Sequence, residues 1–299
     1  MLDFRVETFL TVCRTMNFTR AAEQLHITQP AVSQHIRALE ETYGTKLFHY
    51  QGKQLGLTES GRLFFRAAVT MRHDALRLRE AVRQADARRT LRFGATLTIG
   101  EYVMPGPLLR LLEEEPEVRL RMLTANTREL LALLDQGELD FAIVEGYFDK
   151  QAYDSLTYCV QPYIPVCAPG YPFTRPVRRL EDLLGERLLV REPGSGTRNV
   201  LERELEARNL NVDSFSRVTE LGSLNLIKTL VCAGAGVSFF YRPVVRQELE
   251  EGQLREIPLE DCAIRHAFTF LWRRGSVFAD GYREIFRRLR GLDPFPADG

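Results

Sequence analysis

Two short helical patterns stand close together in the run FTRAAEQLHITQPAVSQHIRALE, from Phe18 to Glu40. In the first, Ala21, Ala22 and Leu25 share one side. In the second, Val32, Ile36 and Leu39 recur at i, i+4 and i+7, so each helix has a single stripe to bury and the two must pack together. Thr19 is placed to cap the first helix and Thr28 the second, and Pro30 falls in a first turn, where a missing N–H costs nothing. The spacing predicts a helix-turn-helix over 18–37. Before it, Asp3 to Met16 reads as a helix whose Phe4, Phe9, Leu10 and Val12 supply a core, and Gly44 ends the second helix of the pair. The stretch KLFHYQGKQLGLT, from Lys46 to Thr58, reads as a short hairpin with Gln51 and Gly52 at its tip, the wing of a winged helix-turn-helix.

A long helical pattern follows from Glu59 to Ala87. Phe64, Ala68, Met71, Ala75, Leu78, Val82 and Ala85 alternate spacings of four and three, the signature of a helix paired with another helix. A helix laid against its own domain is the plainer reading of such a stripe. A linker helix that forms a dimer is preferred, because no partner for the stripe is evident within the chain.

Beyond Arg89 strands alternate with helices. Strand-like LRFGATL (91–97), VRLRML (118–123), LDFAIV (139–144), YIPVCA (163–168), RLLVR (187–191), RVTEL (217–221) and VSFF (237–240) are separated by helical runs. One run contains Tyr102 to Leu112; others lie at 127–136, near 197–207 and 223–233, and beside Pro243. A strand at 266–272 and a helix at 277–290 complete the pattern. Asn126 with Glu129 makes a capping box, and Gly137 closes that helix. The fold class is therefore α/β, with a mostly parallel sheet covered by helices on both faces.

Composition changes this picture in one respect. The chain of 299 residues has zero formal charge, but residues 1–92 carry 15 Lys and Arg against 9 acids, and the remaining 207 carry 25 against 31. The surplus of six positive charges sits with the helix-turn-helix, where phosphate contacts need it. Five cysteines, at 13, 159, 167, 232 and 262, show no ligand or disulfide spacing, which suits reduced thiols. An acid at position 3 and the absence of a long apolar run argue against a signal peptide or membrane span, so a cytoplasmic protein with no membrane partner is expected.

The outward face of the second helix carries Gln29, Ser33, Gln34 and Arg37, side chains that read base edges in a major groove, and Lys53 in the hairpin is a candidate phosphate or minor-groove contact. An ordinary helical hairpin with a polar face fits the same pattern. The run AAEQLHITQPAVSQHIRALE, followed by LFHYQGKQLGLTESG at 47–61, resembles the DNA-binding domain of the LysR-type transcriptional regulators, and the resemblance continues over nearly the whole chain. It implies DNA contacts by Thr19, Thr28, Gln29, Pro30, Ser33, Gln34, Arg37 and Lys53. It also implies linker helices paired in a homodimer or homotetramer, and a two-lobed effector domain like the periplasmic binding proteins. The implied division is 1–58 for the winged helix-turn-helix, 59–88 for the linker helix, 89–162 with 268–299 for lobe I, and 163–267 for lobe II. One departure stands out: such wings usually carry Arg where this chain has Tyr50 and Gly56, which weakens the expected grip on the backbone.

In open α/β sheets ligands bind at the carboxyl ends of strands, near helix N-termini. Four polar loops lie there, at 95–100, 124–127, 191–198 and 220–223. Glycines permit close approach, and amides with hydroxyls at a helix start favour an anion. Thr96, Leu97, Thr98, Asn126, Glu145, Ser195, Gly196, Thr197 and Gly222 are thus candidates to bind a small metabolite, expected to be anionic, between the lobes, although each loop also suits plain helix capping. LRFGATLTIGEYVMP and REPGSGTR are similar to the LysR subgroup that regulates carbon dioxide fixation and sulfur metabolism. Glu145, at the end of its strand, points the other way, since an ionised carboxylate repels an anion unless it bonds a hydroxyl or ammonium.

Enzymatic readings find little. PGSGT lacks the Gly-Lys-Ser/Thr of a P-loop, Gly194-Ser195-Gly196 is not a nucleophile elbow, and Gly234-Ala235-Gly236 follows a helix rather than a strand. The five histidines are scattered, so no metal, cofactor or catalytic residue is expected. The expected function is a LysR-type regulator binding double-stranded promoter DNA, with RNA polymerase as a further partner open to it. The alternative is a small-molecule receptor with a helical dimerisation domain and no DNA role.

Overall fold

The computed structural model describes residues 3–52, 54–83 and 90–291; the expected contact Lys53, and Ala85 at the end of the helical stripe, lie outside the described residues. The chain divides into two compact units. One is Met1–Ala87 with Asp135–Glu138 and Arg273–Ala279, and the other is the remainder.

The first unit begins with α1 (Phe4–Thr15), α2 (Phe18–Leu25) and α3 (Gln29–Tyr43). Their apolar stripes meet: Phe9, Leu10, Val12, Ala21, Ala22, Val32, Ile36 and Leu39 form one buried cluster. Each of the larger side chains here, withdrawn from water, contributes about 2 kcal/mol. Phe4, expected in this core, is 63% exposed and instead sets its ring edge-on to His35. The caps differ from expectation at one end. Asn17, not Thr19, starts α2, its Oδ1 accepting the amides of Thr19 and Arg20 at 2.9 and 3.0 Å. Thr19 is one of the residues whose amide needs satisfying, so its own side chain comes too late to cap. Thr28 caps α3 as expected, and Gly44 closes it at φ +64°.

The hairpin pairs β1 (Phe48–Gln51) with β2 (Gln54–Leu57), and Gln51 lies opposite Gln54. Then α4 runs over Glu59–Arg83. Its stripe is not wholly without a partner in the chain: Phe64 and Ala68, with Val69, join the same core as Phe9 and Leu47. The first turns of α4 follow the wing directly and close the open side of the helical core. Further along, Met71, Leu78 and Val82 are 43%, 56% and 68% exposed.

The second unit opens with β3 (Thr90–Ala95), α5 (Leu97–Tyr102), α6 (Pro105–Glu114), β4 (Arg119–Thr124), α7 (Thr127–Gln136) and β5 (Phe141–Val144). The first strand is shorter than expected, because Thr96 already stands at the start of a helix. A single strand β6 then spans Tyr153–Cys167, ten residues longer at its start than the apolar run suggests. After it come β7 (Arg187–Val190), α8 (Gly196–Glu206), β8 (Arg217–Glu220), α9 (Leu224–Cys232), β9 (Ser238–Tyr241), α10 (Arg242–Glu250), β10 (Arg255–Glu256), β11 (Ile264–Arg273) and α11 (Ala279–Gly291).

Strand β3 lies between β4 and β5, parallel to both, and β7 pairs with β8 in parallel. The sheet is more mixed than the sequence pattern implies. Strand β11 runs antiparallel to β5, and β9 and β10 run antiparallel to β6. The reason is the route of the chain. It passes from the β3–β5 side to the β9 side along β6, returns along the neighbouring β11, and the returning strand opposes what it joins. Phe141 anchors the first side, stacked between Phe93 and Phe270 at 4.8 and 4.6 Å between ring centres. Among the described residues no helix is long and apolar enough to cross a membrane, and no group of three His, Cys, Asp or Glu is placed to hold a metal.

Candidate functional site

Two regions gather the polar residues singled out in the sequence. The first is the outward face of α3, where Gln29, Pro30, Gln34 and Arg37 are exposed and Ser33 is half-buried. Gln29 donates to the Ser33 hydroxyl at 3.0 Å, one turn along, which fixes both at the start of the helix. Thr19 and Thr28 are exposed at the beginnings of α2 and α3. The helix is held at its far end by Glu40, which is nearly buried and accepts the Leu47 amide at 3.0 Å and Lys46 Nζ at 2.6 Å. The hairpin is thereby tied to the helix that precedes it. Within the hairpin, Gly56 faces His49, and a Cβ there would come within 2.9 Å of the imidazole. A long basic side chain at 56 would have to displace that ring. Tyr50 is 68% exposed.

The second region surrounds Glu145 in the second unit. Glu145 follows β5 and is fully withdrawn from solvent, with its carboxylate accepting hydroxyl hydrogen bonds from Thr96 and, at 3.4 Å, from Thr197. Thr96 sits immediately before α5 and Thr197 in the first turn of α8, so Glu145 links elements that are far apart in the chain. Ser195 is buried as well, its hydroxyl 3.2 Å from that of Thr197, and the Thr197 carbonyl accepts the Tyr163 hydroxyl at 3.2 Å.

Close packing brings the start of α7 to the same place. A Cβ on Gly196 would lie 2.8 Å from the Gly146 amide nitrogen, 2.9 Å from Thr127 Oγ1 and 3.0 Å from Glu145 Cγ, while one on Gly146 would meet Thr127 Oγ1 at 2.4 Å. Only glycine fits at either position. The hydroxyl of Thr127 is buried and has no hydrogen-bond partner among the described residues. A buried donor left unpaired costs roughly 1–3 kcal/mol, so this hydroxyl is a candidate donor to a ligand.

Burial pushes the Glu145 carboxyl up to about 7, against the pull of Arg191 and the Thr197 hydroxyl. Arg191 is itself buried and committed to Glu192, with two contacts of 2.8 Å. Arg198 pairs with Glu202 and Glu220, each at 2.6 Å. The positive charge of the REPGSGTR loop is therefore largely neutralised in place. Around the same carboxyl, burial also holds the Tyr163 and Tyr241 hydroxyls well above their ordinary range, and holds His266 below its own.

Of the candidates, Thr96, Glu145, Ser195, Gly196 and Thr197 come together, with Thr98 buried nearby in α5 and Leu97 half-buried at its start. Asn126 serves α7 as its cap, accepting the Glu129 amide at 3.0 Å and donating to the Glu129 carboxylate through its own side-chain amide at 3.1 Å. The reciprocal half of the expected capping box is thus made by a side chain, not by the backbone. Gly222 is exposed, and its nearest neighbour is a Glu192 carboxylate oxygen 4.0 Å from a would-be Cβ. Sequence reasoning did not single out Thr127, Gly146 or Tyr163 individually. The signal for the first two was present: a hydroxyl residue opening a helix, and a glycine directly after a strand-end carboxylate.

An exposed reading helix on a basic winged domain, joined to an α/β domain with a buried cluster of hydroxyls and helix starts, defines a DNA-binding protein with a small-molecule domain. Comparison with known families bears this out. Residues 5–62 match the helix-turn-helix of the bacterial regulatory proteins of the lysR family, and residues 84–291 match the LysR substrate binding domain. The chain belongs to the LysR family of DNA-binding transcriptional regulators. It is 33% identical to the transcriptional regulator CfxR of Cupriavidus necator, over 84% of this chain and 78% of that one. It is 28% identical to the RuBisCO operon transcriptional regulator of Allochromatium vinosum, over 94% of both. These relatives are named as transcriptional regulators and not as enzymes. Among solved structures, full-length LysG of Corynebacterium glutamicum with bound effector Arg has the same fold, with a TM-score of 0.62 at 17% identity, covering 98% of this chain and 99% of that one.

Proposed function

We propose that this LysR regulator acts as a homodimer or homotetramer on a pseudo-palindromic promoter site, and that its effector is a small anionic metabolite bound between the lobes 89–162 with 268–299 and 163–267. Gln29, Ser33, Gln34 and Arg37 read base edges, and Thr19, Thr28, Pro30 and Lys53 position the helix and wing on the backbone. Thr96, Leu97, Thr98, Ser195, Gly196 and Thr197 receive the effector, with Asn126 and Gly222 at the margin. RNA polymerase is a downstream partner of the bound oligomer. The exposed Leu78 and Val82 of α4 support self-association, since large apolar side chains in the continuation of a helical stripe call for a second helix.

The observation that carries the anionic reading is the approach of two helix starts, α7 at Thr127 and α8 at Gly196, with buried hydroxyls between them and Thr127 unpartnered. Helix N-termini present amides and a positive dipole end to a common point. The likeness to the RuBisCO operon transcriptional regulator supports a place in the subgroup concerned with carbon dioxide fixation or sulfur metabolism. A thermal-shift screen of inorganic sulfate, phosphate and small carboxylates on the full chain tests the anionic reading. A ligand at 100 times its dissociation constant stabilises by about 2.7 kcal/mol. Stabilisation by cations or neutral compounds, with none by any anion, would overturn the reading.

A further inference from the structure

The close packing around Glu145 has a mechanical consequence. Gly146 follows β5 and Thr127 opens α7, on the β3–β5 side of the crossing strands, whereas Gly196 opens α8 on the β7–β9 side. A Cβ on Gly196 would lie 2.8 Å from the Gly146 amide nitrogen and 2.9 Å from Thr127 Oγ1, so the two sides touch there without space for a ligand. An effector that binds between them has to part them. The chain joins the two sides along β6 and β11, and any further contact across the gap resists the parting.

One such contact stands at the far end of α5, about 9 Å along the helix from Thr96. The hydroxyl of Tyr102, the last residue of α5, donates to Asn225 Oδ1 of α9 at 2.5 Å. Lys228, three residues further along α9 and so on the same face, hydrogen-bonds the same hydroxyl, with its Nζ 5.1 Å from the ring centre. Each partner is fixed to its own side. A Cβ on Gly100 would meet Thr124 Oγ1 at 3.0 Å, which shows how tightly α5 is seated on the end of β4. Lys228 is held to α10 by Glu248 at 2.6 Å and by the Val244 carbonyl at 3.3 Å. Sliding between Tyr102 and this pair is therefore movement of one side against the other.

We infer that Tyr102 is a clasp: its hydroxyl, set between Asn225 and Lys228, holds the β3–β5 and β7–β9 sides together, and the effector enters only when that hydroxyl lets go. The inference rests on the effector's place between the two sides, and not on its being an anion. The chemistry suits a bond that is broken and remade. A phenol hydroxyl has one proton to give and lone pairs to offer, and here it gives to an amide oxygen and receives from an ammonium group. Tyr102 and Asn225 meet at the surface, outside the buried apolar clusters, so parting them exposes little apolar area. A different contact, Arg203 of α8 stacked on Tyr147 at 3.4 Å, lies against His266 of β11, at the hinge itself, where a given rotation moves atoms least.

The test is hydrogen–deuterium exchange of the full chain, read by mass spectrometry with no ligand added, on the wild type, Tyr102→Phe, Asn225→Ala and the double variant. Each single variant is expected to speed exchange about tenfold in the peptides covering 145–147 and 195–199, far in sequence from both substitutions, while β3 and β5 exchange as in the wild type. The double variant is expected to add little, because both substitutions remove the same bond. Faster exchange confined to 97–103 and 223–229, or no change at all, overturns the clasp but leaves the effector reading standing, since that reading is decided by the thermal-shift screen. Full additivity of the two substitutions also overturns it. Should one variant lose its fold, seen as fast exchange throughout β3 and β5, the other single variant is read alone. Loss of the fold in both makes the contact part of the core and overturns the clasp as well.

Discussion

Glu40 of α3 accepts the backbone amide of Leu47 at 3.0 Å, so the helix that carries the reading face and the start of the wing share one buried hydrogen bond. The Lys46 ammonium joins the same carboxylate at 2.6 Å from the exposed side. An acceptor only 9% exposed leaves the amide no alternative partner when it is removed. Glu40→Ala is therefore expected to destabilise the winged domain by about 1–3 kcal/mol, and Glu40→Gln, which keeps an acceptor, by less. Thermal unfolding of the full chain followed by circular dichroism checks the order of the two variants.

Arg37 stands exposed on the same helix, beyond the Gln29–Ser33 pair. Arg37→Ala is expected to lower affinity for the promoter site by about 1–3 kcal/mol through loss of a bidentate base contact, leaving non-specific DNA affinity much less affected. Fluorescence anisotropy at fixed salt with specific and scrambled duplexes gives the ratio, and an unchanged ratio excludes a base-reading role.

Glu145 also makes stability depend on pH. Its carboxyl titrates near 7 in the folded chain against 4.5 unperturbed, so the folded state holds the proton more tightly. Its contribution is fully present below about pH 4.5 and is lost as pH rises through 7. Across that window it amounts to on the order of 3 kcal/mol. Glu145→Gln should flatten this part of the stability profile, as read from denaturant midpoints between pH 5 and pH 8.

Ser195 and Thr197 place their hydroxyls 3.2 Å apart at the start of α8. Ser195→Ala combined with Thr197→Val is expected to abolish the shift in DNA footprint caused by the effector, while a footprint without effector persists. Footprinting with and without the metabolite found in the thermal-shift screen reads both.

Leu78 is 56% exposed on the later half of α4. Leu78→Asp should shift the chain toward monomer in sedimentation velocity, with the melting of the winged domain unchanged, since the residue lies outside its core cluster. A sedimentation profile identical to wild type would remove this helix from the interface.

Periodicity sufficed wherever one face was buried and the other wet. The α3 stripe of Val32, Ile36 and Leu39 reads from spacing alone and is buried as expected, and β5 reads from its unbroken apolar run. The early part of β6 does not read, because Asp154, Ser155 and Thr157 break up both the apolar run and its alternation on a strand that is only half-covered. Phe64 and Ala68 show a further limit. A heptad stripe announces that a helix face needs covering, but not that its first turns find cover in the domain just before it. At the Glu145 site, loop composition pointed to Thr96, Ser195 and Thr197. The partnership of Thr127 with Gly196 depends on two helix starts, some seventy positions apart, meeting in space, and no local pattern records that. Thr19 fell to a smaller effect: Asn17 lies two residues earlier, and its short amide side chain reaches the free donors first.

The chain passes outward along β6 and back along the neighbouring β11, and these two ribbons are among the longest in the fold. Tyr163 on the first ribbon donates to the Thr197 carbonyl and His266 on the second lies beside the Glu145 backbone, so an effector seated there as proposed would press on both crossings at once.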